Sequence, residues 1–393
     1  MTFANPQINA PTSFLWNSLA GFATDMRAAV SSTTAVAARS IPYFRSEDRL
    51  FRTEENGLTR ARLLAVNRPE APQSSFETIP FRGQDVSLHY FEAGRPRSDE
   101  GPLLLIHGFA SNAYQWNRIF DELSDRHHVI AIDLPGHGYS DCLKDDDYDM
   151  VRILPDLLNA FLDRKGFRDV TLVGSSLGGG ISQVLASGND RIRQLILFGS
   201  SGCTDQKEKV APFVRAANLP SHLTLGPTPP YFFEKLGTFL TLYLYVHPTF
   251  STINAHDVEE FTRPYRGNWA KIRARADYAR QIRDLCVAKE NQAEIIALQK
   301  KIRQPVLYVY SEADRAVPKS VPGALLKFIP NSRLIRIEAD EVPTAGHTLM
   351  SDTPALALQI VEDVMGGSVD LSPSTAKTTH YLKFNPSSGS YEY

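Results

Sequence analysis

From Ser75 onward, short apolar runs suited to buried strands alternate with stretches of helical periodicity, and this alternation restricts the fold more than any other feature of the 393-residue chain. The runs lie at residues 86–90, 103–106, 129–132, 170–173, 195–198, 306–310 and 334–337, most of them bounded by Gly, Pro, Asp or Asn. Helix-like stretches fall between several of them, notably at 114–123, 151–165, 177–187 and 354–364. Strands that are apolar throughout have no water-facing side, so the pattern predicts an α/β fold with a mostly parallel sheet flanked by helices on both faces. Ligand sites in such sheets lie beyond the carboxyl ends of the strands, which directs attention to the residues just after each run.

The alternation stops between Phe198 and Val306, where about 100 residues separate two strands that one crossover helix could join. An inserted subdomain at 201–304 is therefore expected, dividing a core at 76–200 and 305–365. The Ser, Thr and Gly-rich segment 366–393 reads as a loose or surface-bound tail.

Composition removes several function classes. Hydrophobic residues make up 42% and charged residues 22%, values of a globular chain and not of a disordered or fibrous one. A net charge of -2 gives no basic field for nucleic acid. No apolar run is long enough for a membrane span. Cys142, Cys203 and Cys286 are odd in number and far apart, which fits neither a disulfide framework nor a zinc site, and favours a reducing compartment such as the cytoplasm.

Residues 1–75 form an N-terminal extension of different character. Asn17, Ser18, Gly21 and Asp25 interrupt the apolar stretch that a secretory signal needs. One acid, Asp25, against Arg27, Arg39 and Arg45 before Ser46 gives a faint organellar-targeting character. Leu15, Leu19, Phe22 and Met26 recur at helical spacing. That stripe fits a helix docked on the main domain, or else one that touches a membrane surface or covers a substrate entrance.

The strongest chemical signal is Gly174-Ser175-Ser176-Leu177-Gly178, directly after the run at 170–173 and before a helix. Read as G-x-S-x-G, it is a sharp strand-to-helix turn whose small flanking residues push the Ser176 hydroxyl outward. A serine hydroxyl is a weak nucleophile at neutral pH and needs a base held by an acid. In the chain order Ser, acid, His, only His347 and His380 follow a suitable acid, and His347 sits just after the run at 334–337. Asp314, beyond the run at 306–310, is the best-placed acid, with Glu312 as runner-up. Acyl transfer also needs donors for an oxyanion. The backbone N–H groups of Phe109, in His107-Gly108-Phe109 after the run at 103–106, and of Leu177 are placed for this. His107 itself reads as structural.

These residues resemble the α/β-hydrolase superfamily over 76–365. The likeness rests on His107-Gly108-Phe109, Asp133-Leu134-Pro135-Gly136-His137-Gly138-Tyr139-Ser140, Gly174 to Gly179, Asp314 with Val317-Pro318, and Gly346-His347. It implies a serine hydrolase without metal or organic cofactor, esterase- or lipase-like, in which Ser176 attacks, His347 carries protons and Asp314 orients it. Asp133 and His137 then belong to a structural loop. Serine at the elbow argues against dehalogenase and epoxide hydrolase chemistry. Lipid acyl transfer, carbon–carbon bond hydrolysis and non-catalytic ligand binding remain alternatives on the same framework. His347-x4-Asp352 bears on the first of these, although an acid before Pro354 is expected to cap the final helix.

The resemblance also implies that 201–304 is a helical cap over the site. Seven aromatic residues fall within 231–250, among them Tyr231, Phe232, Phe239 and Tyr243, so part of this set is expected to line an apolar substrate pocket. A small apolar ester or acyl compound is the substrate that follows. The next stretch carries Arg263, Arg266, Lys271, Arg273, Arg275, Arg280 and Arg283, expected as a solvated face or, alternatively, an anion headgroup site.

Overall fold

The computed structural model describes residues 73–98, 100–145, 147–202, 255–265, 268–287, 289–369, 371, 379–385 and 390–392. Two compact units divide the chain, Met1–Arg45 and Ser46–Tyr393, and every element below belongs to the second. The expected N-terminal helix lies outside the described residues.

Among the described residues ten strands form one sheet: β1 Gln73–Phe81, β2 Gln84–Ala93, β3 Leu103–Ile106, β4 Val129–Ile132, β5 Val170–Ser175, β6 Ile192–Phe198, β7 Val306–Ser311, β8 Ser332–Ile337, β9 Thr379–Asn385 and β10 Ser390–Glu392. Their order is β1-β2-β4-β3-β5-β6-β7-β8-β9-β10. Neighbours from β4 through β9 pair in parallel, and the pairs β1–β2, β2–β4 and β9–β10 are antiparallel. Every residue of β3, β4, β5 and β7 is buried, as a sheet covered on both faces requires. The flanking helices are α1 Phe120–Ser124, α2 Ile153–Lys165, α3 Leu177–Ala186, α4 Ala255–Thr262, α5 Trp269–Val287, α6 Lys289–Gln299, α7 Val321–Phe328, α8 Leu349–Asp352 and α9 Pro354–Met365. Gly166 closes α2 in the left-handed conformation, where its N–H reaches the carbonyls of Asp163 and Leu162. Among the described residues no helix is long and apolar enough to cross a membrane.

Two expectations change. The stretch read as one helix over 114–123 breaks into a 3-10 turn, Ala113–Trp116, and the short α1. Asn112 starts that turn by accepting the Tyr114 N–H, while the Ala113 N–H is held by Asp133, so the chain tightens before it can run as a regular helix. The tail is also not loose throughout. Residues 379–382 pair in parallel with β8 and bury Leu382, giving the open edge of β8 a hydrogen-bonding partner.

Asp133, just past β4, ties the sheet's end to three other segments. Its Oδ2 accepts from His89 Nδ1 of β2 at 2.7 Å and from the Tyr139 N–H at 2.8 Å, and its Oδ1 accepts from the Ala113 N–H at 2.7 Å. Burial pushes the Asp133 carboxyl up, but attraction and hydrogen bonding from His89, attraction from His107 and the Ala113 N–H outweigh it and hold it below the usual range. Asp133→Ala leaves three buried donors without an acceptor and should lower the unfolding free energy by about 3–5 kcal/mol in urea titrations. Because the folded pKa is depressed, Asp133 stabilises the fold above its unfolded pKa near 4 and loses that effect as pH falls through the folded value. The penalty of the substitution should therefore shrink in acid.

Candidate active site

At the end of β5 the chain turns into α3 through Ser176, whose φ of 51° and ψ of -116° are strained for a residue with a side chain. The turn is enforced by close approach. A Cβ at Gly178 would lie 2.2 Å from the Ile106 carbonyl oxygen, and one at Gly174 would lie 2.6 Å from the Gly179 Cα. The backbone of Ser176 is fixed on both sides: its N–H donates to the Phe198 carbonyl at 3.1 Å, and its carbonyl accepts from the N–H and hydroxyl of Ser201 at 2.9 and 3.1 Å. Sequence reasoning selects Ser176 over Ser175 here, and the structure places Ser175 inward and wholly buried, with Ser176 partly exposed.

Asp314 and His347 meet beyond the ends of β7 and β8. His347 Nδ1 donates to Asp314 Oδ2 at 2.8 Å, with 7% and 1% of the two side chains exposed. Asp314 Oδ1 in turn accepts from the N–H groups of Ala316 and Val317 at 2.7 and 3.0 Å, so the carboxylate is held in place from both ends. Burial pulls the His347 pKa down, but the attraction and hydrogen bond of Asp314, with a further contribution from Asp352, raise it above its ordinary value. The runner-up acid Glu312 is engaged elsewhere, by Lys319 at 3.0 Å and by Arg336. His380 lies on β9, opposite Ile335.

Gly199 connects the pair to the serine. It follows Phe198, the residue that holds the Ser176 N–H, and a Cβ at Gly199 would lie 3.0 Å from Asp314 Oδ2 and 3.2 Å from His347 Nδ1. On the other side of the elbow, a Cβ at Gly108 would lie 3.2 Å from the Ser176 Cβ. The loop after β3 is thus a direct neighbour of the serine. Its Gly108 N–H donates to Gln115 Oε1 at 2.9 Å and its Ala110 N–H to His137 Nε2 at 3.3 Å, so neither serves a bound substrate. Leu177 opens α3, where the first N–H groups of a helix have no acceptor within it.

His107 is structural, as its sequence position suggests. Its Nε2 accepts from the Leu134 N–H at 3.0 Å, which makes Nδ1 the donor to the Gly108 carbonyl at 2.7 Å. Tyr231, Phe232, Phe239 and Tyr243 lie outside the described residues. The basic stretch is a solvated face only in part among the described residues. Lys271 is buried on α5, donating to the carbonyls of Ser140 at 2.5 Å and His137 at 3.4 Å. Arg263 pairs with Glu260, Arg280 with Asp277, and Arg275 stacks over Tyr265. Among the described residues, these contacts engage Arg263, Lys271, Arg275 and Arg280 within the protein, while Arg273 and Arg280 remain exposed.

Three contributors escaped sequence reasoning. Gln115 is buried and bridges Gly108 to Ser175. Asp352 does not cap α9, whose N-cap residue is Thr353; it accepts the Gly346 N–H at 3.1 Å and so braces the turn that carries His347. Arg118 donates to the Ser351 carbonyl at 2.7 Å and to Asp257 of α4 at 2.9 Å, joining the His347 segment to the region between β6 and β7.

Comparison with known proteins agrees with this geometry. The sequence profile of the alpha/beta hydrolase fold family matches residues 101–349, well over half of the chain. An uncharacterised hydrolase of Bacillus subtilis, YugF, is 27% identical over 285 residues, which cover 70% of this chain and 92% of that protein. The pimeloyl-[acyl-carrier protein] methyl ester esterase of Nitrosomonas europaea is 28% identical over 272 residues, covering 67% and 93%. Among solved structures, a thermophilic esterase from Thermogutta terrifontis superposes with a TM-score of 0.56 at 21% identity, covering 75% of this chain and 98% of that one, a likeness of fold. The sheet order, the strained serine turn and the profile match together show that the chain belongs to the α/β-hydrolase fold family and is a hydrolase of that fold.

Proposed function

We propose that this hydrolase cleaves a carboxylic ester, or a related acyl compound with an apolar acyl or aryl group, through an acyl-enzyme on Ser176. The observation that carries the reading is the buried Asp314–His347 hydrogen bond beside a strained serine elbow. Because an ionised carboxylate can only accept, Asp314 accepts a hydrogen bond from the Nδ1–H of His347, which keeps the proton on Nδ1 and leaves the Nε2 lone pair as the base. Nε2 removes the Ser176 proton as Oγ attacks the acyl carbon, and the carbonyl electron pair moves onto oxygen. The N–H groups of Phe109 and Leu177 receive that oxyanion. Collapse expels the alcohol, protonated by His347, and water then releases the acid by the same steps in reverse order.

Residues 76–200 and 305–365 act as the catalytic core in this reading, and 201–304 as a cap. Its support is the position of α4, which is fixed to the loop after β3 by Asn112 Nδ2 on the Glu260 carbonyl at 3.0 Å and by the Tyr114 hydroxyl on Asp257 at 3.0 Å. Tyr231, Phe232, Phe239 and Tyr243 of the same segment supply apolar substrate contacts. The role of Asp352 in bracing the His347 turn accounts for the His-x4-Asp spacing without acyl transfer.

A fluorophosphonate probe should label the wild type and not Ser176→Ala, which should also lose about 10⁶-fold in kcat for aryl esters. Ester cleavage that survives this substitution would overturn the assignment. The His347 pKa lies above 6.5, and only neutral His347 is a base, so kcat/KM should rise with pH through a limb above that value. Asp314→Asn removes the group that raises it: the limb should move to lower pH and kcat should fall about 10⁴-fold. A profile of kcat/KM over about pH 5 to 9 checks both, and an unmoved limb counts against the pairing.

A further inference from the structure

The side chain of Gln115 lies where three segments of the site converge, although it belongs to none of the groups assigned above. It is 2% exposed. Its Oε1 accepts the Gly108 N–H at 2.9 Å, its Nε2 donates to Ser175 Oγ at 2.8 Å, and Nε2 also lies 3.4 Å from Met350 Sδ of α8. Gly108 belongs to the loop beside Ser176, Ser175 is the elbow residue preceding it, and Met350 follows His347 by three positions. A single rigid amide therefore touches the segments that carry the oxyanion donor, the nucleophile and the base.

The orientation of that amide is determined by its partners. A backbone N–H can only donate, so the atom facing Gly108 is the oxygen, and the nitrogen must face Ser175. The Gly108 N–H lies in the peptide that enters Phe109's neighbourhood from β3, one residue before the proposed donor. His107 Nδ1 and the Ser111 N–H fix the Gly108 carbonyl, at 2.7 and 3.3 Å, while Gln115 fixes its N–H. Gln115 thus holds the His107–Gly108 peptide, and His107 with Ser111 holds the Gly108–Phe109 peptide, so the two planes that meet at Gly108 are both set, and with them the direction of the Phe109 N–H. A buried N–H without an acceptor is costly, so loss of the amide would let the His107–Gly108 peptide rotate about the flexible Gly108 and shift the Phe109 N–H that follows it.

We infer that Gln115 is a positioning residue that aims the Phe109 N–H at the oxyanion and couples this aim to the elbow through Ser175. The inference rests on the acyl-enzyme reading of Ser176. It predicts a defect confined to states with charge on the carbonyl oxygen, because the amide touches neither substrate nor the reacting atoms.

The test uses the full chain, p-nitrophenyl butyrate as substrate and a butyl trifluoromethyl ketone as inhibitor. Ser176 Oγ adds to the ketone carbon, its proton passes to His347, and the carbonyl pair becomes an oxyanion, so the adduct reports the donors directly. Gln115→Met keeps length and volume but lacks a strong acceptor. Its kcat should fall about 100-fold, with KM within about threefold of wild type and ketone affinity lowered in parallel with kcat/KM. Ser175→Ala, which removes one anchor of the amide, should lose about tenfold in both readouts. The double variant should be no worse than Gln115→Met alone. A variant with lowered Tm but unchanged kcat and ketone affinity, or fully additive losses in the double variant, overturns the inference. If Gln115→Met does not fold, Ser175→Ala decides: parallel loss supports positioning, and unchanged catalysis refutes it. Wild-type protein that neither hydrolyses the ester nor is labelled at Ser176 brings down the acyl-enzyme reading and Gln115 with it. Labelled, active wild type with an indifferent variant refutes the role of Gln115 only.

Discussion

The constraint on which the site depends is the contact between the start of α3 and the end of β3. No side chain fits at Gly178, because the Ile106 carbonyl oxygen occupies the space 2.2 Å from where its Cβ would be. That approach brings the residues after two adjacent parallel strands within reach of each other, since β3 and β5 pair directly, Ile106 against Gly174. The loop from Gly108 then has to pass over Ser176, and the strained φ of Ser176 is the local cost of turning a strand into a helix in so little room. Parallel neighbours β6 and β7 deliver Gly199 and Asp314 to the same edge, and β8 delivers His347. The site follows from the register of these strands.

Asp133 holds the other flank of that edge. It accepts hydrogen bonds from His89 of β2, from the turn at Ala113 and from the Tyr139 N–H, and Lys271 of α5 closes the same loop from outside through the Ser140 carbonyl. The same packing accounts for Lys271 being buried in a basic stretch that reads as solvated. A buried lysine reaching backbone carbonyls is a structural clamp, and Arg263, Arg275 and Arg280 beside it pair with acids or stack on an aromatic ring close to them in the chain. Charge patterning cannot reveal this, because it depends on which face of α5 meets the Asp133 loop.

Residues 103–106 and 129–132 were legible in the sequence as β3 and β4 to the residue, since a run that is apolar throughout and sharply bounded has one plausible structure. The proposed site residues were placed by a related reading: Ser176 and Asp314 come within three residues of the ends of β5 and β7, and His347 lies in the segment between β8 and the last helix. β1 was not, as an edge strand with Pro80 and an open polar face carries a weak pattern, and neither was β9, embedded in a Ser, Thr and Gly-rich tail. Gln115 and Asp352 were out of reach for a different cause. Their meaning lies in contacts between segments 60 and 235 positions apart for Gln115, and in a six-residue return to Gly346 for Asp352.

Three buried histidines near this edge show how environment divides roles among identical side chains. His107 and His137 each accept a backbone N–H on Nε2, from Leu134 and Ala110, and each hydrogen-bonds a backbone carbonyl through Nδ1. Burial is the largest influence on both and lowers their pKa, so they remain neutral pieces of scaffolding with both nitrogens committed. His347 is as deeply buried, yet its Nδ1 faces a carboxylate instead of a carbonyl, and the attraction of Asp314 outweighs burial. A histidine that binds a proton more tightly than usual is a stronger base, and one whose Nδ1 proton is already engaged can take that proton only at Nε2. Among these three, what sets the proposed base apart is the acceptor at Nδ1, a charged oxygen instead of a neutral one; His89 also faces a carboxylate, that of Asp133, but its Nε2 is engaged by the Ser74 hydroxyl at 2.8 Å.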